Sequence, residues 1–221
     1  MDINHCIIQG RLTMDPQLHY TNSGRAVTRF PIACERPYAD SNGQKIVDFI
    51  PIIVWREYAE RVANNLQKGQ ECVVMGRLQS RIRDDLHINI YEVETQEVIF
   101  GQTTRGLSLD VNHITVTGRL TANPELHYVG DSHVAVTRFI IASERSYTDK
   151  EGNAKVDYLH IIGWRSYGER LANDLVKGMV VTITGRVQSR KHKKQHTTVH
   201  EIHAEKVKYD YEPTNKVEKS L

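Results

Sequence analysis

The sequence contains one pattern twice, and this repeat constrains the fold more than any other feature. Residues 26–81 align on residues 135–190 without a gap, and 31 of the 56 aligned positions are identical. The segment Gly10–Thr13 (GRLT) also recurs as Gly118–Thr121. A spacing of 109 residues is too long for the unit of a solenoid. The chain is therefore expected to contain two tandem domains of one fold.

Polar and glycine-containing segments mark the expected ends of these domains. Residues 101–106 (GQTTRG) are typical of a linker. We predict a first domain at 1–103 and a second at 110–210. Residues 211–221 are polar and are predicted to form a short flexible tail.

The composition is that of an ordinary globular protein and excludes several other classes. Hydrophobic residues make up 39% and charged residues 25% of the chain. No apolar run reaches the roughly 20 residues of a membrane helix, and the N-terminus does not resemble a secretory signal. A cytoplasmic, nucleoid-associated location is expected. The three cysteines are odd in number and form no CxxC pair, so neither a disulfide framework nor a zinc site is expected. Cys6 and Cys72 align with Ile114 and Val181, which favours packing as small apolar side chains.

Neither catalysis nor metal binding is indicated by residues that recur in both copies. We find no repeated glycine-rich phosphate loop, nucleophile elbow or acidic pair, so we expect neither an enzyme nor a cofactor. His192, His196, His200 and His203 are spaced as metal ligands would be on a helix. However, Thr197–Val199 favour a strand, along which the first three histidines would spread over about 26 Å. No metal site is predicted.

Each copy combines β-type segments with a single helical segment. In the first copy the patterns predict strands over 5–12, 25–35, 47–55, 70–79 and 86–100, and a helix over 57–67. Gly10 and Gly76 lie within two of these strands and indicate bulges or bends. Five strands with a helix between the third and fourth are typical of the OB fold. The predicted fold class is all-β with one short helix per domain, arranged as two tandem five-stranded OB-fold barrels.

An ordered set of motifs occurs in both copies and carries a family resemblance. The set is GRLTxxPxLxY, AVxxF, D[F/Y]xxxxxWR, AxxLxKG and GR[L/V]QSR. It resembles the bacterial single-stranded DNA-binding protein (SSB) family over about 90 residues in each copy. The resemblance implies OB folds that coat single-stranded DNA in replication, recombination and repair. It also implies a homodimer, because members with two OB folds per chain pair to present four.

The resemblance also implies which aromatic side chains stack on bases. In this sequence they are Tyr38, Phe49 and Trp55, and in the second copy Tyr147, Tyr158 and Trp164. Phe49 and Trp55 are six residues apart and share one face of a strand. The alternative is that these aromatic residues belong to the core, which is their usual place in strands.

Cationic side chains that recur with these aromatic residues are candidates for binding phosphates. The predicted set is Arg56, Arg77 and Arg81, with Arg165, Arg186 and Arg190 in the second copy. The run from Arg190 to Lys194 adds Lys191, Lys193 and Lys194. A plain solvated-surface role is the alternative for each of them. Residues 107–221 hold 17 Lys and Arg against 14 acidic residues, so the second domain is expected to capture DNA more strongly.

Two features depart from the family pattern. The aromatic residue of the loop between the fourth and fifth strands has no counterpart, and Arg83 and His192 lie near that place. The sequence also ends in NKVEKSL rather than in an acidic, phenylalanine-terminated tip. Recruitment of repair enzymes through such a tip is therefore not expected.

The sequence thus favours a non-enzymatic protein that binds single-stranded DNA independently of base order. A specialised relative that acts in replication restart or on mobile elements is one alternative. An OB-fold structural subunit that makes only protein contacts is the other.

Overall fold

Each copy folds into a β-barrel with one helix. The computed structural model describes residues 2–83, 88–101, 110–148, 151–191 and 198–209. The first copy forms β1 (Asn4–Leu12), β2 (Gln17–Tyr20), β3 (Ala26–Ala39), β4 (Lys45–Trp55), α1 (Glu57–Asn65), β5 (Glu71–Arg83) and β6 (Ile88–Phe100). The second copy forms β7 (Val111–Leu120), β8 (Glu125–Val129), β9 (Val134–Thr148), β10 (Ala154–Trp164), α2 (Arg165–Asp174), β11 (Val180–Lys191) and β12 (Thr198–Tyr209).

The first barrel closes because β1 pairs with two other strands of that barrel. Along most of its length β1 is antiparallel to β5, and past Gly10 it pairs with β3 at Arg11 and Leu12. A Cβ atom at Gly10 would lie 2.2 Å from the carbonyl oxygen of Ala33, so only glycine permits this bend. The bulge expected in β5 lies between Met75 and Gly76. Strands β4 and β6 pair in parallel, and the five strands of the copy form a closed barrel, as predicted.

The short strands β2 and β8 were not predicted from the sequence. Strand β2 forms a hairpin with β3, in which Gln17 faces Arg29 and Tyr20 faces Ala26. Three of its four residues are exposed, so it has no alternation of apolar and polar residues that a pattern search could detect. Both strands lie at the ends of the sheet, where short, polar strands are usual.

The two barrels are joined by a strand pair rather than only by the linker. Strands β1 and β7 are antiparallel over six residue pairs, from Asn4 opposite Val116 to Gln9 opposite Val111. The result is one sheet of twelve strands in the order β2-β3-β4-β6-β5-β1-β7-β11-β12-β10-β9-β8. The expected domain limits at residues 103 and 110 lie in or next to the segment 102–109. That segment and the tail at 211–221 lie outside the described residues.

The barrel interiors are filled by aliphatic side chains and phenylalanine. Phe30, Ile52 and Leu78 are at most 2% exposed, and the helix α1 contributes Ala59 and Val62. These residues form one continuous hydrophobic cluster with their counterparts in the second barrel.

All three cysteines pack within this cluster as small apolar side chains. Cys6, Cys34 and Cys72 are each at most 1% exposed, and burial raises the pKa of each thiol. Among the residues that the structure describes, no group of histidines, cysteines and acids could hold a metal ion, and none of the helices has the length and apolar character needed to span a membrane. His192 and His196 lie outside those residues.

Strand β12 contains two histidines, where the first copy has Tyr91 and Glu94. Burial lowers the pKa of His200. Burial, reinforced by Arg186 and Arg36, lowers that of His203 to about 4. The ordinary value is 6.5, so the unfolded chain takes up protons between about pH 6.5 and 4 that the folded chain does not. The neutral imidazoles therefore favour folding above this range, and that contribution is lost as the pH falls through it.

We predict that the free energy of unfolding falls between pH 7 and pH 5, and that His203→Gln flattens this dependence. The slope of the unfolding free energy with pH stays below about 1.4 kcal/mol per pH unit, the value for one proton that only the unfolded chain binds. It stays below because the ring is partly exposed. Urea unfolding at each pH measures it. The control is His127→Gln, which removes an exposed histidine. Equal flattening in both variants would contradict the assignment to His203.

Candidate functional site

Two buried aspartates lie where the barrels meet, and each is held by both barrels. Asp48 is 0% exposed and accepts two hydrogen bonds from Arg36 of its own barrel, at 2.7 and 2.8 Å. It also accepts the backbone N–H of Ser189 from the second barrel at 2.7 Å. Hydrogen bonding to Asp48 raises the pKa of Arg36. The contact fixes β4 of one barrel against β11 of the other.

The same arrangement occurs in reverse from the second barrel. Asp157 is also 0% exposed, is gripped by Arg145 and accepts the backbone N–H of Ser80 at 2.7 Å. Arg77 of the first barrel donates a further hydrogen bond to Asp157. The two barrels are therefore related by an approximate twofold axis through this interface, which we call the seam. Because a buried carboxylate is strongly destabilising when one of its partners is removed, these contacts hold the two barrels together at the seam.

The aromatic residues that follow these aspartates are exposed. Phe49 and Tyr158 are 47% and 52% exposed, although their strands are central to the barrels. Their backbones are anchored from the opposite barrel. Ser189 Oγ accepts the N–H of Phe49 at 3.0 Å, and His200 Nε2 lies 2.8 Å from its carbonyl oxygen. In the reverse direction, Ser80 Oγ accepts the N–H of Tyr158 at 3.0 Å.

Two tyrosines on β3 and β9 are held by arginines from across the seam. The guanidinium of Arg186 lies 5.5 Å from the ring centre of Tyr38 and donates to its hydroxyl. Arg77 lies 5.6 Å from the ring centre of Tyr147. Both contacts are cation–π interactions, which fix the orientation of the rings. Tyr38 and Tyr147 remain 45% and 42% exposed.

The predicted arginines on β5 and β11 therefore have different surroundings from those expected of phosphate ligands. The side chains of Arg77 and Arg186 are 12% exposed, and each is also ion-paired with a glutamate of its own barrel. Arg81 and Arg190 are more accessible, at 47% and 43%, but each pairs with a glutamate: Arg81 with Glu92 at 3.1 Å and Arg190 with Glu201 at 2.8 Å.

The tryptophans lie at the strand-to-helix junctions. Trp55 ends β4 and Trp164 ends β10, and both are half-buried. Each is followed by an exposed arginine with a positive φ angle, 62° for Arg56 and 57° for Arg165. Such a backbone costs about 1–3 kcal/mol at a residue other than glycine, and here it recurs in both copies. The junction therefore places an exposed cation beside each tryptophan.

The last predicted cations are only partly described. Lys191 ends β11 and is exposed. Lys193 and Lys194 lie outside the described residues, as does His192.

The sequence alone did not reveal the seam. The residues that form it could be found in the sequence, because Asp48 and Ser80 lie in motifs that recur with Asp157 and Ser189. What was missing was knowledge that each motif contacts its counterpart in the other copy. The arrangement presents four exposed aromatic rings on one surface that spans both barrels.

Comparisons with known proteins agree with this architecture. The model of the single-strand binding protein family matches residues 3–100 and 111–210. A single-stranded DNA-binding protein of Halalkalibacterium halodurans is 42% identical over 101 residues, which cover 44% of this chain and 60% of that protein. Single-stranded DNA-binding protein 3 of Listeria innocua is 36% identical over 135 residues, covering 58% of this chain and 84% of that protein.

Among solved structures, the whole chain resembles one from Thermus aquaticus. The crystal structure of its wild-type single-stranded DNA binding protein superposes with a TM-score of 0.77, covering 98% of this chain and 97% of that one, at 22% identity. This likeness concerns the fold and includes both barrels. The family model matches once in each barrel, and the two matches together cover most of the sequence. The chain therefore belongs to the single-strand binding protein family.

Proposed function

We propose that the protein binds single-stranded DNA with little dependence on base order and protects it in replication, recombination or repair. The observation that carries this proposal is the set of four exposed aromatic rings anchored at the seam: Tyr38, Phe49, Tyr147 and Tyr158. Exposed aromatic residues on central strands lose the stabilisation that burial would give them. A stacking role explains why they are exposed and why so many seam contacts hold their backbones.

Stacking on these rings suits a ligand of any base sequence. Every base has a flat π face, and each stacked base contributes about 1–3 kcal/mol. Strand alternation places Phe49 on the same face of β4 as Trp55, and Tyr158 on the same face of β10 as Trp164. We propose that a single strand follows this face in each barrel and that the tryptophans add to the stacking surface.

The exposed cations are proposed to bind phosphates. Arg56, Arg165 and Lys191 are exposed, and Lys193 and Lys194 are proposed to continue the same run. Arg81 and Arg190 contribute less, because their glutamate partners offset their charge. For Arg77 and Arg186 we propose a positioning role, since they hold Tyr147 and Tyr38 from across the seam.

The test is a titration with single-stranded and duplex oligonucleotides of equal length, followed by anisotropy. We predict preference for the single strand and an affinity that decreases with salt. Phe49→Ala and Tyr158→Ala should each weaken oligo(dT) binding roughly 5- to 150-fold, which corresponds to the loss of one stacked base. The controls are Tyr20→Ala and Tyr128→Ala, which remove tyrosines that are 60% and 55% exposed on the edge strands.

Two results would contradict the proposal. Equal affinity for duplex and single strand would mean that the rings do not stack on bases. Loss of affinity in the edge-strand controls as large as in Phe49→Ala would mean that the seam is not the binding surface. If no nucleic acid binds, the exposed rings are a protein-contact surface, and the structural-subunit alternative is favoured.

We further propose that two chains associate to present four OB folds. The seam already joins two barrels within one chain, and the family resemblance implies that four act together. Light scattering at micromolar concentration should give twice the mass of one chain, with or without oligo(dT). A monomeric mass under both conditions would exclude the dimer.

A further inference from the structure

A cavity of about 230 Å³ opens on the outer face of the second barrel. Its lining includes Asn123, Glu125, Arg138, His160, Ile162 and Glu201. Alternation along β10 puts His160 and Ile162 on the same face as Tyr158 and Trp164. The cavity therefore lies between two of the proposed stacking side chains, on the path proposed for the DNA.

Arg138 is the cationic side chain at this cavity, and its contacts within the described part of the chain differ from those of its counterpart Arg29 in the first barrel. Arg29 Nε lies 3.3 Å from Glu92, which also pairs with Arg81. In the second barrel, both oxygens of Glu201 are taken by Arg190, at 2.8 and 3.0 Å. Among the residues that the structure describes, none forms an ion pair or hydrogen bond with the side chain of Arg138. Its guanidinium is therefore available to a ligand.

The lining of the cavity differs from the matching residues of the first copy. Ala122 lines the cavity, where the first copy carries the larger Met14. His160 replaces Pro51, and its Nδ1 is fixed by the Tyr91 hydroxyl at 2.7 Å. Because this hydroxyl comes from the first barrel, the seam also holds the imidazole at the cavity wall.

Size and chemistry indicate what the cavity accepts. Sites for drug-sized ligands typically measure about 300–1,000 Å³. This cavity is smaller, so it suits a ligand with one ring system. Glu125 faces Arg138 directly in the β8–β9 pair. One Glu125 oxygen lies 3.4 Å from His127, and in the described part of the chain the other oxygen has no partner. Arg138, unpaired among the described residues, thus lies opposite a carboxylate with one oxygen that those residues leave unpaired.

We propose that this cavity holds one unstacked guanine base of the bound single strand. Arginine donates two parallel hydrogen bonds to the O6 and N7 atoms of guanine. The N1–H and N2 amino group on the adjacent edge of the same base donate to a carboxylate. Among the four DNA bases, guanine alone offers a pair of acceptors to Arg138 and a pair of donors to Glu125. The inference depends on the proposed single-strand binding and adds one base-selective position to it.

The test uses competition between oligonucleotides of about 30 nucleotides, long enough to cover two OB folds. The parent is oligo(dT), and the competitors carry one central dG, dA, dC or 7-deaza-dG. We expect the dG oligonucleotide to bind roughly three- to tenfold tighter than oligo(dT), and dA and dC to bind like dT. Only registers that place the guanine in the cavity gain the contact, which keeps the effect at this level. The 7-deaza base, which lacks the N7 acceptor, should lose most of the gain.

The repeat supplies matched variants. Ala122→Met places the first-copy residue in the cavity at an exposed position, and Arg138→Ala removes the cationic side chain. Both should abolish the preference for dG, measured as the ratio of dG to dT affinity within each variant. Met14→Ala and Arg29→Ala make the equivalent changes in the first barrel and should retain the preference.

The outcomes separate this inference from the proposed function. If dG and dT oligonucleotides bind equally, or if the preference survives Ala122→Met, the guanine site is wrong while single-strand binding stands. If Met14→Ala or Arg29→Ala removes the preference, the site is not in the second barrel and the inference fails. If no single strand binds the protein, the proposed function and the guanine site are both overturned.

Discussion

The surface of this protein depends on two buried aspartates at the seam, each of which accepts a hydrogen bond from the opposite barrel. The β1–β7 pair joins the barrels by backbone hydrogen bonds between one strand of each barrel. Asp48 and Asp157 add a second set of contacts, because each pairs with an arginine of its own barrel and accepts a serine N–H from the other. Removing one partner of such a buried charge typically costs about 3–5 kcal/mol. The exposed rings beside the aspartates thus occupy fixed positions.

Much of the fold could be predicted from the sequence, because most local patterns occur in both copies and could be compared with their counterparts. The five barrel strands, the helix and the bulge at Gly76 were predicted from alternation, β-branched residues and glycine placement. The edge strands β2 and β8 were missed, since exposed strands have no burial pattern. Prediction of the site was less complete. Arg77 and Arg186 recur just as Arg56 and Arg165 do, and only the seam distinguishes cations that hold tyrosines from cations that face solvent.

Duplication within one chain permits differences that an assembly of identical subunits does not. Tyr91 and His200 occupy matched positions, and each reaches across the seam to the backbone beside an exposed ring. They differ in chemistry, because one is a phenol and the other an imidazole whose pKa burial lowers. The matched arginines have likewise diverged: Arg29 pairs with Glu92, whereas none of the described residues pairs with the side chain of Arg138. The two barrels therefore present similar exposed aromatic side chains with different polar surroundings.

Tryptophan emission tests the central claim most directly, because the chain has only two tryptophans, Trp55 and Trp164. Both are half-buried at the ends of the strands that carry Phe49 and Tyr158. Stacking of bases along these faces predicts that oligo(dT) quenches the emission to a saturating level and that added salt restores it. Unchanged emission at oligo(dT) concentrations where anisotropy shows full binding would contradict the account, because the strand would then follow another surface.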